Sequence, residues 1–192
     1  MDTLPKFFPM KDYYRTEGVQ KICHDIKQNE NKELRQKAIK EIGDYFISLD
    51  VLDKNAVLIP APQHTGKAEY TLELCEYLAS KTGATIWDNL ARIPDKTLYD
   101  KRKENTDSIP TLLISRKEIE KKLPTGTYFF IDNVMTTGVT FITSYSLLGV
   151  KLYPLVYAID FDAVNEYVFH KVCSLWEQFK KGGNHYIKSG RT

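Results

Sequence analysis

Short apolar runs, each too short for a helix, alternate along this chain with segments of helical periodicity, and that alternation constrains the fold more than any other feature. Residues 55–60 (NAVLIP) form one such run, ended by proline and suited to a strand buried on both faces. Residues 84–87 and 128–131 (YFFI) predict further strands. Residues 151–159 (KLYPLVYAI) predict another, in which Pro154 points to an edge position or a bulge. Between these runs, residues 69–80 carry Leu72, Leu74, Cys75, Leu78 and Ala79 on a helical pattern. Gly83 follows where a helix C-terminus favours a residue that tolerates positive φ. Residues 139–148 predict a second crossing helix, and residues 164–179, with Val168, Val172, Leu175 and Trp176, a last one. Strands alternating with helices predict an α/β fold, a mainly parallel twisted sheet flanked by helices in a Rossmann-like three-layer arrangement.

The ends and the middle depart from this pattern. From residue 17 to 49 the positions Val19, Ile22 and Ile26, then Leu34, Ala38, Ile39, Ile42, Phe46 and Ile47, predict two amphipathic helices, with Asn29 and Asn31 at the break. Residues 88–122 mix basic and acidic residues with irregular apolar spacing and read as an excursion from the core, with one hint of a short helix near Ile119. The chain thus divides into an N-terminal helical segment (1–50) within the same domain or its hood, a core (51–180) and a polar tail (181–192). With 192 residues it can bury one substantial core.

Charge and cysteine content restrict the partners. The 27 Lys and Arg against 25 Asp and Glu give a formal net charge of +2, so direct nucleic-acid binding is disfavoured and any basic site must be local. Cys23, Cys75 and Cys173 are odd in number and form no CxxC pair, which fits a reducing cytoplasm. Residues 1–10 lack the basic end and apolar run of a signal peptide, and no membrane association is expected.

Chemistry concentrates in residues 128–141, YFFIDNVMTTGVTF. An apolar strand delivers Asp132 and Asn133 to its C-terminal end, where ligands of open parallel sheets collect and where both side chains are expected to be exposed. Thr136, Thr137, Gly138, Val139 and Thr140 then turn into a helix whose first N–H groups lack internal partners and, with the helix dipole, favour an anion. Gly138 lets that backbone approach a phosphate, and the threonines add hydroxyl donors. Taken alone, TTG before a helix reads as an ordinary capped turn. The strand, the polar pair and the turn in that order favour a sugar-phosphate cradle.

This stretch resembles the phosphoribosyl pyrophosphate (PRPP) motif of the type I phosphoribosyltransferases, in which an apolar strand ends in two acidic residues followed by a Thr/Ser-rich glycine turn. The resemblance implies that Asp132 and Asn133 contact the ribose hydroxyls and act as the catalytic pair, and that Thr136 to Thr140 hold the 5-phosphate. The second acidic position is Asn133, which keeps hydrogen bonding and loses charge. Upstream, residues 59–67 (IPAPQHTGK) leave a strand through two prolines; in this family that loop receives pyrophosphate, which implies such a role for Gln63, His64 and Lys67. The course from residue 60 to 105 is similar to the ComF-like branch, with Arg92, Lys101 and Arg102 in a segment that the resemblance makes a closing lid, although KRK is also an ordinary solvated charge run.

The implied activity is transfer of phosphoribose from PRPP to a nitrogenous base with release of pyrophosphate. Mg2+ would arrive with PRPP; no protein ligand for it is assigned, and Asp132 would act on it only through water. Residues that would read the acceptor base, Tyr157, Asp160, Phe161 and Asp162, are equally a core tyrosine and helix caps. Two other readings stay open: a non-catalytic PRPP or nucleotide sensor, favoured by Asn133, and a ComF-like interaction protein linked to DNA uptake. The acceptor is unknown, and a homodimer is left open.

Overall fold

The computed structural model describes residues 8–92, 114–116 and 122–183. Among these, five parallel strands form one sheet in the order β1-β7-β6-β2-β3: β1 (Lys11–Asp12), β2 (Ala56–Pro60), β3 (Thr85–Ile86), β6 (Thr127–Met135) and β7 (Leu152–Ile159). A separate antiparallel pair joins β4 (Leu90–Arg92) to β5 (Ile114–Arg116). The helices are α1 (Val19–Asp25), α2 (Lys32–Ser48), α3 (Tyr70–Thr82), α4 (Val139–Leu148) and α5 (Glu166–Gly183). The α/β class and the three-layer parallel arrangement expected from the sequence are what the chain adopts. None of the described helices is long and apolar enough to cross a membrane.

Local chemistry explains most boundaries. The Asn31 side chain accepts the Leu34 N–H at 3.1 Å and starts α2, while Gly83 at φ 74° ends α3. Every residue of β2 and β7 is buried, as strands covered on both faces require. Alternation along β6 sends Phe130 to the α4 side, against Phe141, and Asn133 to the α3 side, where it meets Tyr70. Helix α2 packs on α3 and reaches β7 on that same side, with Tyr45 edge-on to Tyr157.

Pro154 is reconciled with an inner strand by the shortness of its neighbour. The two residues of β1 pair only with Ala158 and Ile159, so Pro154 has a strand partner, Phe130, on one side alone. Helix α5 closes the other side: the Trp176 indole N–H donates to the Pro154 carbonyl at 3.1 Å, and Trp176 and Phe179 pack against Tyr153. Covering an edge in this way satisfies backbone groups that would otherwise recruit another strand. Helix α5 also continues through residues 180–183, which the sequence reading gave largely to the polar tail; Lys180 and Lys181 suit its last turn, where the helix dipole favours cations. Residues 184–192, and the short helix suggested near Ile119, lie outside the described residues.

Candidate functional site

Connectivity singles out one position on the sheet. From β6 the chain crosses through α4 to β7 on one side, and from β2 it crosses through α3 to β3 on the other. Strand order therefore reverses between β6 and β2, the arrangement that opens a crevice at the strands' C-terminal ends. These two strands are direct neighbours, with Pro60 beside Ile131, and the Ala61 N–H continues the ladder to the Ile131 carbonyl at 3.0 Å. The loop after β2 and the motif after β6 thus open side by side.

The first loop is tightly folded. Gln63 N–H donates to the Lys67 carbonyl (3.0 Å), and Gly66 N–H to the Gln63 carbonyl (2.9 Å), with Gly66 at φ 100°. With its amide oxygen turned towards α3, Gln63 accepts the Glu69 and Tyr70 N–H groups at 3.2 and 3.1 Å, so its side chain serves as the cap of that helix. His64 and Lys67 are exposed, and the Thr65 hydroxyl donates to Glu69 (2.9 Å). The Gly66 carbonyl accepts the Arg92 N–H at 3.0 Å, which ties the base of the β4–β5 hairpin to this loop. The excursion read from the sequence therefore leaves and returns as paired strands beside the crevice. Arg92 is in place there, whereas Lys101 and Arg102 lie outside the described residues.

The motif after β6 differs from expectation in one respect. The strand continues to Met135, so Asp132 and Asn133 lie within it and point to opposite faces. Asp132 remains partly exposed, and its Oδ1 accepts the Asn133 main-chain N–H at 2.8 Å. Burial pushes its carboxyl up to about 6, opposed by that N–H and by the Lys27 charge. Asn133, expected at the rim, is instead only 1% exposed. Its Oδ1 accepts the Tyr70 hydroxyl (3.1 Å), its Nδ2 donates to the Cys23 carbonyl (2.9 Å), and its own carbonyl accepts the Cys23 thiol (3.5 Å). Both polar atoms of this side chain are therefore engaged by α1 and α3 rather than presented at the rim.

Beyond the strand, Thr136, Thr137, Val139 and Thr140 are partly exposed, and Gly138 is buried at φ 74° as the N-cap of α4, with no side-chain cap on that helix. The Thr137 carbonyl accepts the Asn165 N–H (3.3 Å), and the Met135 carbonyl accepts the Asp160 N–H (2.9 Å), fixing the turn to the exit of β7. Gly138 serves a second purpose: an added Cβ would lie 2.5 Å from Val168 Cγ1. Its replacement therefore disturbs α5 packing as well as the turn.

Of the residues considered for an acceptor base, Tyr157, Asp160 and Phe161 have packing or turn-capping partners, whereas the Asp162 side chain is exposed. Tyr157 is fully buried, and its hydroxyl accepts from Lys11 Nζ (3.0 Å), which stands 4.5 Å from both the Tyr45 and Tyr157 ring centroids. Asp160 accepts the N–H groups of Asp162 and Ala163 at 3.1 Å, and Phe161 packs between Phe8 and Phe169. Asn165, not an aspartate, caps α5 through the Tyr167 N–H at 3.0 Å. Residues that the sequence reading did not connect to the site are Cys23, Lys27 and Tyr70, which no local spacing links to Asp132.

Among the described residues no three His, Cys, Asp or Glu side chains gather to hold a metal ion. Compared with known proteins, the chain matches no family model and no curated protein.

Proposed function

We infer that this chain binds PRPP across the crevice between β2 and β6 and transfers its phosphoribosyl group to a nitrogenous base with release of pyrophosphate. The observation that carries the reading is the pairing of the two loops on adjacent strands at the point where strand order reverses. One is a threonine-rich turn at a helix start whose N-cap is a glycine and whose first N–H has only a long bond to the Thr137 hydroxyl (3.5 Å), suited to a phosphate; the other is a tight turn with Lys67 exposed, suited to a second anionic group. Asp132 follows Ile131, the strand partner of Pro60, and precedes the threonine turn, so its carboxylate would be able to accept ribose hydroxyls. Mg2+ bound to the pyrophosphate oxygens would neutralise the leaving group. Lys67 would add to that neutralisation, and Asp132 would orient the sugar, so that positioning and preorganised charge supply the catalysis.

The uncharged Asn133 is the sequence feature that favours a sensor without turnover. Its side chain is engaged in packing, so its missing charge weighs little against transfer. Calorimetric titration with PRPP and Mg2+ tests the reading, with binding expected. No heat at about 1 mM ligand, a binding free energy weaker than about −4 kcal/mol, would overturn both transfer and sensing. With binding in hand, pyrophosphate release that depends on one base supports transfer, and its absence across a panel of bases supports a sensor.

A further inference from the structure

We propose that the Asn133 side chain is a positioning residue that fastens α1 and α3 to the opposite face of β6 from Asp132, so that the N-terminal helical segment holds the stretch of strand that carries the Asp132 carboxylate. Asn133 offers one amide acceptor and one amide donor to two different elements. The acceptor takes the Tyr70 hydroxyl at the start of α3, and the donor takes the Cys23 carbonyl of α1. The Cys23 thiol returns to the Asn133 carbonyl, so helix and strand are joined by a reciprocal pair of bonds, 110 residues apart in sequence. One residue earlier on the same backbone, the Asn133 N–H holds Asp132 Oδ1 at 2.8 Å. Movement of the strand at Asn133 is therefore movement of the Asp132 carboxylate.

The amide is the chemistry this junction requires. A carboxylate at the same place could still accept from Tyr70, but it would face the Cys23 carbonyl oxygen with no proton to offer, in a buried setting where an unmatched charge is costly. Asn at the second position of the pair then follows from docking a helix there. It is not the trace of a lost catalytic acid. The charged and titratable groups that act on the junction are Cys23 of α1 with Lys27 just beyond it, Lys11 of β1, Arg35 of α2, Glu69 and Tyr70 at the start of α3, and Asp132 itself. The proposal relies on the sugar-phosphate reading only for the use made of the Asp132 carboxylate.

The test compares wild type with Asn133→Asp in the full chain, without ligand, using dithiodipyridine and site-resolved mass spectrometry of the three cysteines. Cys23 is 2% exposed on α1, Cys75 is fully buried on α3, and Cys173 on α5 is the more open reference. At about pH 8 the variant is expected to label Cys23 at least about tenfold faster than wild type with Cys75 still protected, because only the α1 bond is lost. At about pH 5 the introduced carboxyl, once protonated, regains a donor, and Cys23 protection is expected to return to that of wild type at the same pH. Equal protection of Cys23 in both proteins at the higher pH would overturn the proposal. So would joint exposure of Cys23 and Cys75, which would make Asn133 an ordinary core residue. Failure of PRPP to bind wild type would sink the functional reading and leave this result intact.

Discussion

At the scale of single residues, Asp132 sets stability against function. Burial pushes its folded carboxyl up to about 6, from 3.8 for an ordinary aspartate. The sign follows: the unfolded chain releases this proton more readily, so the native state loses stability as pH rises from about 4 to about 6 and stays lower above that. Asp132→Asn removes the effect, and urea denaturation is expected to find the variant about 1–3 kcal/mol more stable than wild type at about pH 7 and nearly equal at about pH 4. The same variant is expected to bind PRPP less well, since an amide accepts hydroxyl hydrogen bonds weakly compared with a carboxylate. Gly138 carries the opposite lesson. Positive φ and the Val168 methyl both oppose a side chain there, so Gly138→Ala is expected to cost about 1–3 kcal/mol in denaturation, with part recovered in the double variant with Val168→Ala. Loss of ligand binding in Gly138 variants would thus report packing as much as phosphate contact; Thr136→Ala and Thr140→Val, at partly exposed positions, probe the cradle more cleanly.

At the scale of elements, the loop after β2 is shaped by its own backbone. Gly66 at φ 100° turns the chain so that its carbonyl meets Arg92 and its N–H meets Gln63. Gly66→Ala strains that turn and is expected to weaken PRPP binding about tenfold, about 1.4 kcal/mol, while ribose 5-phosphate, which lacks pyrophosphate, binds as before. Equal losses for the two ligands in calorimetry would move the pyrophosphate subsite elsewhere. The elements that sequence made legible are those whose signal is local: α2 with its Asn31 cap, α3 with Gly83, α4 and the apolar β2 and β7. Those it hid are defined by distant partners. Lys11 and Asp12 are a strand only because β7 lies beside them, and Leu90–Arg92 only because Ile114–Arg116 returns. The candidate site divides likewise. The turn from Thr136 to Thr140 was readable from composition and order, whereas the end of β6 was not, since Val134 and Met135 extend it past the polar pair. Strand alternation through Met135 was the available clue that Asp132 and Asn133 could not face the same crevice.

At the scale of the molecule, the described N-terminal helices pack continuously against the sheet, so the two are expected to unfold together, and this can be tested through the chain's two tryptophans. Trp87 is 3% exposed just past β3, at one margin of the sheet, and its N–H donates to the Leu58 carbonyl at 2.9 Å. Trp176 is fully buried against Pro154 at the opposite margin. Between them the packing is continuous: Lys11 of β1 is inserted between Tyr45 of α2 and Tyr157 of β7, and Asn133 ties α1 to the central strand. A separately folding N-terminal unit would have to leave all of these partners unmatched. Trp87→Phe and Trp176→Phe each leave one indole reporter, and unfolding of each variant by urea is expected to give the same midpoint by fluorescence and by far-ultraviolet circular dichroism. Trp176→Phe is expected to lower that midpoint, because the buried Pro154 carbonyl loses its donor, an effect of about 1–3 kcal/mol. A fluorescence transition that precedes the dichroism transition in only one variant would divide the sheet into two independently melting halves, and the crevice between β2 and β6 would then be a boundary between them.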